Sequence, residues 1–264
     1  MRYKQPIKQI LIATQSSWDR PEIRPAVRQN FDKVTKCGTL ALGAEVFASE
    51  SEEKLAPHTC KARPCPSCGH RATIQWQREQ WRALPDIPYV GIVFTMPGVL
   101  WPIFQRNRHL LHDLANLGAA VIQQWAKLKY GVRVPIMVIP HTFGGRLNFN
   151  SHLHLLVSAG GLQESEGRWV DSLVFDEAKD KDKLMHMWRF AVITYLRAAL
   201  KAKVLISDSS PQELRTRLKK QYERWWSIDI DQFASKEHFL RYAGRYVRRP
   251  PIAQYRFVKI TDRE

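Results

Sequence analysis

The chain has 264 residues, of which 41 are Lys or Arg and 25 are Asp or Glu, so its formal net charge is +16. A hydrophobic fraction of 44%, with 9 Trp, 11 Phe and 8 Tyr, is enough for a core and excludes a disordered chain. No apolar run is long enough for a membrane-spanning helix or a secretory signal, so we expect a soluble cytoplasmic or nucleoid-associated protein.

The excess of positive charge indicates a polyanionic partner. Lys and Arg side chains that neutralise phosphates gain free energy from counterion release, and aromatic rings stack on unpaired bases. A basic protein with no nucleic-acid role is the alternative on charge alone. The four cysteines are too few for a disulfide framework and, without an export signal, favour metal binding.

The first part of the chain predicts little regular structure. A weak helical pattern covers about 22–33. Residues 37–70 have the Gly, Pro, Ser and Cys content that is typical of loops, and they hold too few apolar residues to fold on hydrophobicity alone. A bound metal would stabilise such a segment.

A helix and a domain boundary follow. Residues 71–84 have apolar side chains at helical spacing, and Pro85 interrupts the pattern. We place the boundary there, between a first domain over 1–85 and a second domain over 86–264.

The second domain predicts an α+β fold with an antiparallel central sheet. The continuous apolar run 89–96 is expected to be a central strand buried on both faces. An amphipathic helix over 103–130 follows, and then two strands over 134–141 and 147–158. The rest is expected to be mostly helical, over about 183–203, 211–226 and 235–247.

The strand 147–158 contains the sharpest local signal, the sequence His152-Leu153-His154. Side chains alternate across a strand, so His152 and His154 share one face while Leu153 points to the other. Two neighbouring imidazoles can bind one divalent cation and leave positions for water or a phosphate oxygen. A pair of strand histidines without a ligand is the alternative.

A late helical segment carries Tyr242 and Tyr246, which share a face because they are four residues apart. A phenol with a pKa of about 10 is a poor nucleophile at neutral pH, and a metal-polarised phosphate or a nearby cation would compensate. Guanidinium groups, which suit phosphates, flank both tyrosines. They belong to Arg241, Arg245, Arg248 and Arg249. Two core tyrosines on a helix with a solvated basic face are the alternative.

These features occur together and in the order of a known family. The chain resembles the rolling-circle transposases of the insertion sequence 91 family, part of the His-hydrophobic-His (HUH) nuclease superfamily. The matching motifs are Val-Phe-Thr-Met-Pro at 93–97, His141-Thr-Phe-Gly, Leu147-Asn148, His152-Leu-His154 and the late Tyr-x-x-x-Tyr. The segment 59–69 is similar to the cysteine-rich part of that family's zinc-binding domain.

The resemblance implies a metal-dependent single-strand DNA endonuclease and strand transferase. Under it, 1–85 is a zinc-binding, DNA-binding module and 86–264 is the catalytic domain. His152 and His154 are then ligands of a catalytic Mg²⁺ or Mn²⁺. Tyr242 and Tyr246 are the nucleophiles that form a 5′-phosphotyrosine linkage. The partners implied are single-stranded DNA at the element ends and target DNA, contacted by the flanking arginines.

The third ligand of the catalytic ion stays open at this point. The candidates are His141, Gln232, Glu237 and His238. His141 and Asn148 also match the family motif as residues that could orient the metal-binding histidines through hydrogen bonds. A strand-end histidine and a turn-capping asparagine are the alternative.

The zinc segment departs from the family pattern. Its candidate ligands are Cys37, Cys60, Cys65 and Cys68. The family's Cys-x-x-Cys pair between the first and second of these is replaced by the sequence at 48–53. Four thiolates would complete a tetrahedral Zn²⁺ site, and His58 or His70 could substitute for Cys37. A zinc without DNA contact, or reduced cysteines without zinc, are the alternatives.

Two other functions compete with transposition. A non-catalytic zinc-dependent DNA-binding protein, such as a degenerate transposase, would bind DNA in a salt-sensitive way and cleave none. Metal-dependent amidohydrolases also begin with His-x-His, but too little strand-rich sequence follows residue 158 to supply their further ligands. Family members often continue past the tyrosine helix, so a shortened or partly inactive protein is a further alternative.

Overall fold

The computed structural model describes residues 5–171, 173–247, 250–253 and 256–260. It divides into two compact units. One contains the described residues of Met1–Arg82 and Val247–Glu264, and the other is Ala83–Tyr246. In the ranges given above, no helix is both long and apolar enough to span a bilayer.

Helices and antiparallel strands alternate along the described chain, which confirms the predicted α+β class. The helices are α1 (Pro6–Ala13), α2 (Gln15–Trp18), α3 (Pro25–Thr35), α4 (Pro66–Ala83), α5 (Trp101–Arg106), α6 (Leu111–Tyr130), α7 (Glu177–Lys201), α8 (Pro211–Lys220) and α9 (Lys236–Val247). The strands are β1 (Ala44–Ala48), β2 (Glu53–Pro57), β3 (Tyr89–Phe94), β4 (Ile136–Phe143), β5 (Phe149–Ser158), β6 (Gly161–Gln163), β7 (Arg168–Val170) and β8 (Ile228–Phe233).

The first unit has more helix than the sequence predicts. Helices α1 and α2 precede residue 22, and their buried side chains Leu11 and Trp18 pack with Val34 of α3. The Trp18 indole N–H donates to the Leu11 carbonyl at 2.8 Å, which closes this small core. Pro6 argues against a helix in the sequence, but proline is tolerated in the first turn of a helix, which is where it lies in α1.

The segment 37–70 is also more regular than predicted. It forms the antiparallel hairpin β1–β2, with Val46 opposite Leu55, and α4 begins at Pro66 rather than at residue 71. Both strands of the hairpin are largely exposed, so no period-two apolar pattern marks them in the sequence.

The second unit is built on a four-stranded antiparallel sheet in the order β4-β5-β3-β8. Strand β3 is an inner strand and its side chains are almost all buried, as its continuous apolar sequence predicts. One face of the sheet, with Ile92, Phe94 and Leu155, packs into the main core against α6 and α7.

The second unit differs from the sequence-based expectation in three places. Strand β8 lies in a region predicted to be mostly helical, and the hairpin β6–β7 was not predicted. The predicted helix over 103–130 is interrupted at Asn107, a fully buried residue. The side-chain NH2 of Asn107 donates to the Ile103 and Ile206 carbonyls, and its side-chain oxygen Oδ1 accepts from the Ile206 N–H. These hydrogen bonds stabilise the break in the helix.

Helix α9 covers part of the opposite face of the sheet. Phe239 of this helix stacks on Tyr89 of β3, with ring centroids 4.2 Å apart. One turn later, Tyr242 lies over Gly91, where an added Cβ would come within 2.9 Å of the phenol ring. The absence of a side chain at residue 91 therefore lets the tyrosine helix approach the sheet closely.

Candidate functional site

The four cysteines converge in the first unit. The sulfur of Cys37 lies 3.7 Å from those of Cys65 and Cys68, and the Cys60 sulfur lies 3.7 Å from that of Cys68. Zinc–sulfur bonds of about 2.3 Å at tetrahedral angles place two sulfur atoms about 3.8 Å apart. The quartet therefore has the dimensions of a structural zinc site.

Burial and hydrogen bonds shift the pKa values of the quartet's thiols in different directions. Burial raises the pKa of Cys65 to about 11. Burial also acts on Cys68, but hydrogen bonds from the Lys61 backbone and the neighbouring thiols outweigh it and lower the pKa of that thiol. A metal would replace the thiol protons and relieve the crowding of four sulfur atoms. Neither His58 nor His70 belongs to the cluster.

Three histidines converge in the second unit. In the sheet His141 of β4 lies directly opposite His152 of β5, and His154 is two residues further along β5. One ring nitrogen from each lies within 4.8 Å of the others. Strand pairing thus brings together the two histidines of the sequence motif and one of the open candidates for third ligand.

Backbone carbonyls orient two of the three histidines. The Nδ1 of His152 lies 2.9 Å from the Asn150 carbonyl, and the Nε2 of His141 lies 2.9 Å from the Tyr246 carbonyl. Because a carbonyl only accepts, each of these nitrogens must carry the proton. The other nitrogen of each ring then has a lone pair that can bind a metal.

His154 gives the strongest indication that the cluster fits a metal. Both of its ring nitrogens are buried, and neither has a hydrogen-bond partner among the described residues. Burial, and after it the neighbouring His141 and His152, lowers the pKa of His154 to about 3, so the ring is neutral at physiological pH. A neutral imidazole with an unsatisfied nitrogen is the form that ligates divalent cations.

The remaining candidates for third ligand lie elsewhere. Gln232 donates to the Phe175 carbonyl on the core side of the sheet. Glu237 forms an ion pair with Arg241. His238 is exposed on α9 and takes no part in the cluster.

The two tyrosines of α9 occupy different surroundings. The half-buried Tyr246 stacks on His154, with ring centroids 3.7 Å apart and an interplanar angle of 22°. Tyr242 is only 8% exposed and packs against Phe233 and Gly91. Burial, followed by the effects of Tyr246 and Asp231, raises the pKa of Tyr242. Tyr246 is therefore the tyrosine that lies on the histidine cluster.

Two of the four arginines singled out in the sequence are described. Arg245 is exposed and its guanidinium lies 5.8 Å from the centre of the Tyr242 ring. Arg241 is bound by Glu237 one turn earlier. Arg248 and Arg249 lie outside the described residues.

Asn148 lies in the turn between β4 and β5, where its side-chain amide is 3.5 Å from the Phe149 carbonyl. The residue that contacts the three-histidine cluster (His141, His152 and His154, hereafter the histidine triad) from this side is Asn150, through its backbone carbonyl. Sequence reasoning missed Asn150 because a backbone acceptor leaves no trace in residue type. The signal available was indirect, since Asn150 and His152 lie on the same strand face.

Two family models match separate parts of the chain. The model described as "Transposase zinc-binding domain" matches residues 10–96, which include the four cysteines. The model described as "Putative transposase" matches residues 136–264, which include the three histidines and both tyrosines.

The curated relatives agree with these matches. The "Transposase for insertion sequence element IS801" of Pseudomonas savastanoi pv. phaseolicola is 33% identical over 97% of the chain. Both parts of the chain are therefore similar to transposases of the insertion sequence 91 type. A second relative, the "Putative transposase y4qJ" of Sinorhizobium fredii, is 26% identical over 90% of the chain.

The chain spans 64% of the first relative and 62% of the second. No solved structure matches the chain. The family match and the quartet geometry together support a structural Zn²⁺ in the first unit.

Proposed function

We propose that the chain nicks and rejoins single-stranded DNA during rolling-circle transposition, through a 5′-phosphotyrosine intermediate. The observation that carries the proposal is the contact between Tyr246 and His154, which places a phenol beside a three-histidine cluster. A phenol needs an adjacent cation to attack a phosphate at neutral pH, and such a cluster can hold one.

The donor set favours a transition-series cation. His141, His152 and His154 offer three imidazole nitrogens, which suit Mn²⁺ better than the oxygen-seeking Mg²⁺. When bound there, the divalent ion would stabilise the negative charge that develops on the scissile phosphate.

Other residues of the chain would orient the nucleophile and contact the DNA. His141 joins the triad to α9 through its hydrogen bond to the Tyr246 carbonyl, so the same contact orients a ligand and the nucleophile. The exposed Arg245 is available for a DNA phosphate. Tyr242, buried one turn earlier, would act second or support the position of Tyr246.

The proposed step balances without an external energy source. The Tyr246 oxygen forms a bond to phosphorus, and the phenol proton passes to water. The bond from phosphorus to the 3′-oxygen breaks, and that oxygen takes a proton to become a 3′-hydroxyl. Because the phosphotyrosine ester conserves the phosphodiester linkage, another 3′-hydroxyl can reverse the step and join new ends.

The first unit would hold the element's DNA ends. Its zinc quartet stabilises a small core, and the net charge of +16 of the whole chain favours contact with a polyanion. A protein that acts in this way would work on the nucleoid.

A covalent-trapping assay tests the proposal. The purified chain is incubated with Mn²⁺ and single-stranded oligonucleotides from the ends of its element, and a denaturation-resistant adduct is measured on a gel. Peptide mass spectrometry of the adduct is expected to locate the nucleotide on Tyr246. The adduct should disappear when Tyr242→Phe and Tyr246→Phe are combined, and also in His152→Ala.

The assay separates the proposal from a non-catalytic DNA-binding protein. An adduct that survives the double tyrosine change or His152→Ala would refute the catalytic assignment. Salt-sensitive binding with no adduct under any divalent cation would show that the chain binds DNA without cleaving it.

A further inference from the structure

Trp225 is an exposed indole near the end of the sheet that carries the histidine triad. It lies in the segment before β8 and is 60% exposed, whereas the adjacent Trp226 is only 1% exposed and belongs to the main core. Single exposed aromatic residues are common on protein surfaces, so exposure by itself indicates no function. A role for this ring depends on which side of the sheet it lies and on how firmly the backbone around it is held.

The ring leaves the chain on the side of the sheet that carries the histidine triad. Burial alternates along this segment, because Trp226 and Ile228 enter the main core while Trp225, Ser227 and Asp229 are exposed. The core lies against the face opposite the histidines. Alternation in an extended segment therefore directs residue 225 toward the triad side.

The segment is also at the triad's end of the sheet. Phe94 of β3 lies opposite Leu153 of β5 on one side and Ile228 of β8 on the other. His152 and Ser227 are the next residues toward that end. They are separated by the width of two strand spacings, or about 10 Å.

The backbone around Trp225 is held in place. The Arg189 guanidinium, which is buried, donates to the Arg224 carbonyl at 2.6 Å. The backbone N–H and hydroxyl of Thr95 donate to the Ser227 carbonyl at 3.3 and 2.7 Å. An aromatic ring on a fixed backbone loses little entropy when a ligand stacks on it.

The charges at this end of the sheet suit a nucleic-acid backbone. Arg224 precedes the indole and Arg146 lies in the turn between β4 and β5, and both are exposed. The acidic neighbour Asp229 is 3.9 Å from the Lys181 ammonium, which offsets its charge. Exposed guanidinium groups on both sides of the triad can contact successive phosphates.

We propose that Trp225 is a stacking platform for an unpaired base of the DNA strand whose scissile phosphate lies at the histidine triad. This inference rests on the proposed function, because the triad defines where the strand passes. The occupant is single-stranded DNA rather than duplex DNA, whose bases already stack on one another. The strand would cross the end of β3 between Thr95 and α9.

Equilibrium binding of the full chain tests the platform. The probes are a fluorescein-labelled 20-nucleotide oligo-dT, an abasic deoxyribose-phosphate strand of the same length, and a 20-base-pair duplex. The variants are Trp225→Ala, Trp225→Phe and the control Phe190→Ala. Phe190 is 61% exposed on α7, on the core side of the sheet. Phe190→Ala therefore removes a ring of similar exposure that lies on the other face from the triad.

We expect Trp225→Ala to weaken oligo-dT binding by about 5- to 100-fold, the range for one stacked base. Trp225→Phe should keep most of the affinity, and Phe190→Ala should match the unchanged chain. For the abasic strand and for the duplex, each variant should have the same affinity as the unchanged chain. The inference is overturned if Trp225→Ala binds oligo-dT like the unchanged chain, or if it weakens the abasic strand or the duplex as much.

Failure here is distinguishable from failure of the proposed function. An adduct at Tyr246 with no dependence of binding on Trp225 would refute the platform and leave the catalytic assignment intact. Dependence on Trp225 with no adduct would refute catalysis and keep the platform as part of a DNA-binding surface.

Discussion

The Tyr246 ring stacks on the His154 imidazole at an interplanar angle of 22°, with centroids 3.7 Å apart, while Tyr242 on the same helix packs against Phe233 and Gly91. Tyrosines four residues apart share one side of a helix, but a helix that crosses a sheet at an angle delivers them to different strands. The two phenols are therefore unequal, although their sequence motif is symmetric.

This inequality predicts different effects of the two single phenylalanine substitutions. Tyr246→Phe keeps the ring on His154 but removes the attacking oxygen, so we expect the covalent adduct to fall by about 10³-fold or more. Tyr242→Phe removes a buried hydroxyl from a ring that is 4.9 Å from the Tyr246 ring but does not stack on His154, and it should leave the first adduct within about tenfold of the unchanged chain. Adduct yield on a denaturing gel measures both.

An equal loss in the two variants would contradict the assignment of Tyr246 as first nucleophile. Circular dichroism and hydrogen exchange of both variants provide the control, because either change could disturb α9. A variant with unaltered exchange over 236–247 reports on chemistry rather than folding.

The unsatisfied nitrogens of His154 predict a separation of stability from metal binding. His154→Leu removes two buried polar atoms that have no described partner, so the metal-free protein should be as stable or up to about 2 kcal/mol more stable. Mn²⁺ affinity, measured by isothermal titration calorimetry, should fall by about 100-fold or more. Urea unfolding measures the stability.

His238→Leu is the matched control, because this histidine is exposed on α9 and outside the triad. It should bind Mn²⁺ like the unchanged chain. If His154→Leu lowered the stability of the metal-free protein by more than about 2 kcal/mol, its imidazole would be contributing contacts beyond ligation.

The cysteine quartet predicts that zinc stabilises the first unit alone. Each chain should contain one zinc by elemental analysis, and Cys65→Ser should lose most of it because this sulfur is buried in the quartet. Removal of zinc by a chelator should then increase hydrogen exchange over 5–82, because the bound metal would stabilise the small core there. Exchange over 83–246 should change little.

His58→Ala provides the control for the quartet. His58 was a possible substitute ligand, but its ring faces the Leu42 carbonyl at 3.1 Å and it is not part of the cluster. Zinc content should remain at one per chain. Loss of the metal in this variant, or its retention in Cys65→Ser, would show that the ligand set is wrong.

The strands and helices that pack on one another in the second unit were predictable from apolar periodicity. The run 89–96 predicts the inner strand β3, and 147–158 predicts β5 with little error in its bounds. Strand β8 was missed because its exposed, acidic sequence resembles a loop, although Ile228 and Ile230 alternate with aspartates as an edge strand requires. The hairpin β1–β2 was missed for the same reason.

The site was predictable only as far as neighbours along the chain define it. His152 and His154 lie on one strand face by alternation alone. Choosing His141 over Gln232, Glu237 and His238 required the pairing register of β4 with β5, which no local pattern specifies. The stacking of Tyr246 on His154 likewise depends on how far α9 crosses the sheet, and hence on the small residue beneath it.

That small residue, Gly91, gives the last prediction. An alanine Cβ there would come within 2.9 Å of the Tyr242 ring and 3.2 Å of the Phe233 ring, so Gly91→Ala should cost about 1–3 kcal/mol of unfolding free energy. Because the clash lifts Tyr242, joining of a second strand should fall more than the first adduct. Gly118→Ala is the control, since its Cβ would come within 2.6 Å of Leu153 on the core face and lower stability without touching Tyr242. Equal losses of strand joining in both variants, measured well below their unfolding temperatures, would mean that stability alone explains the effect.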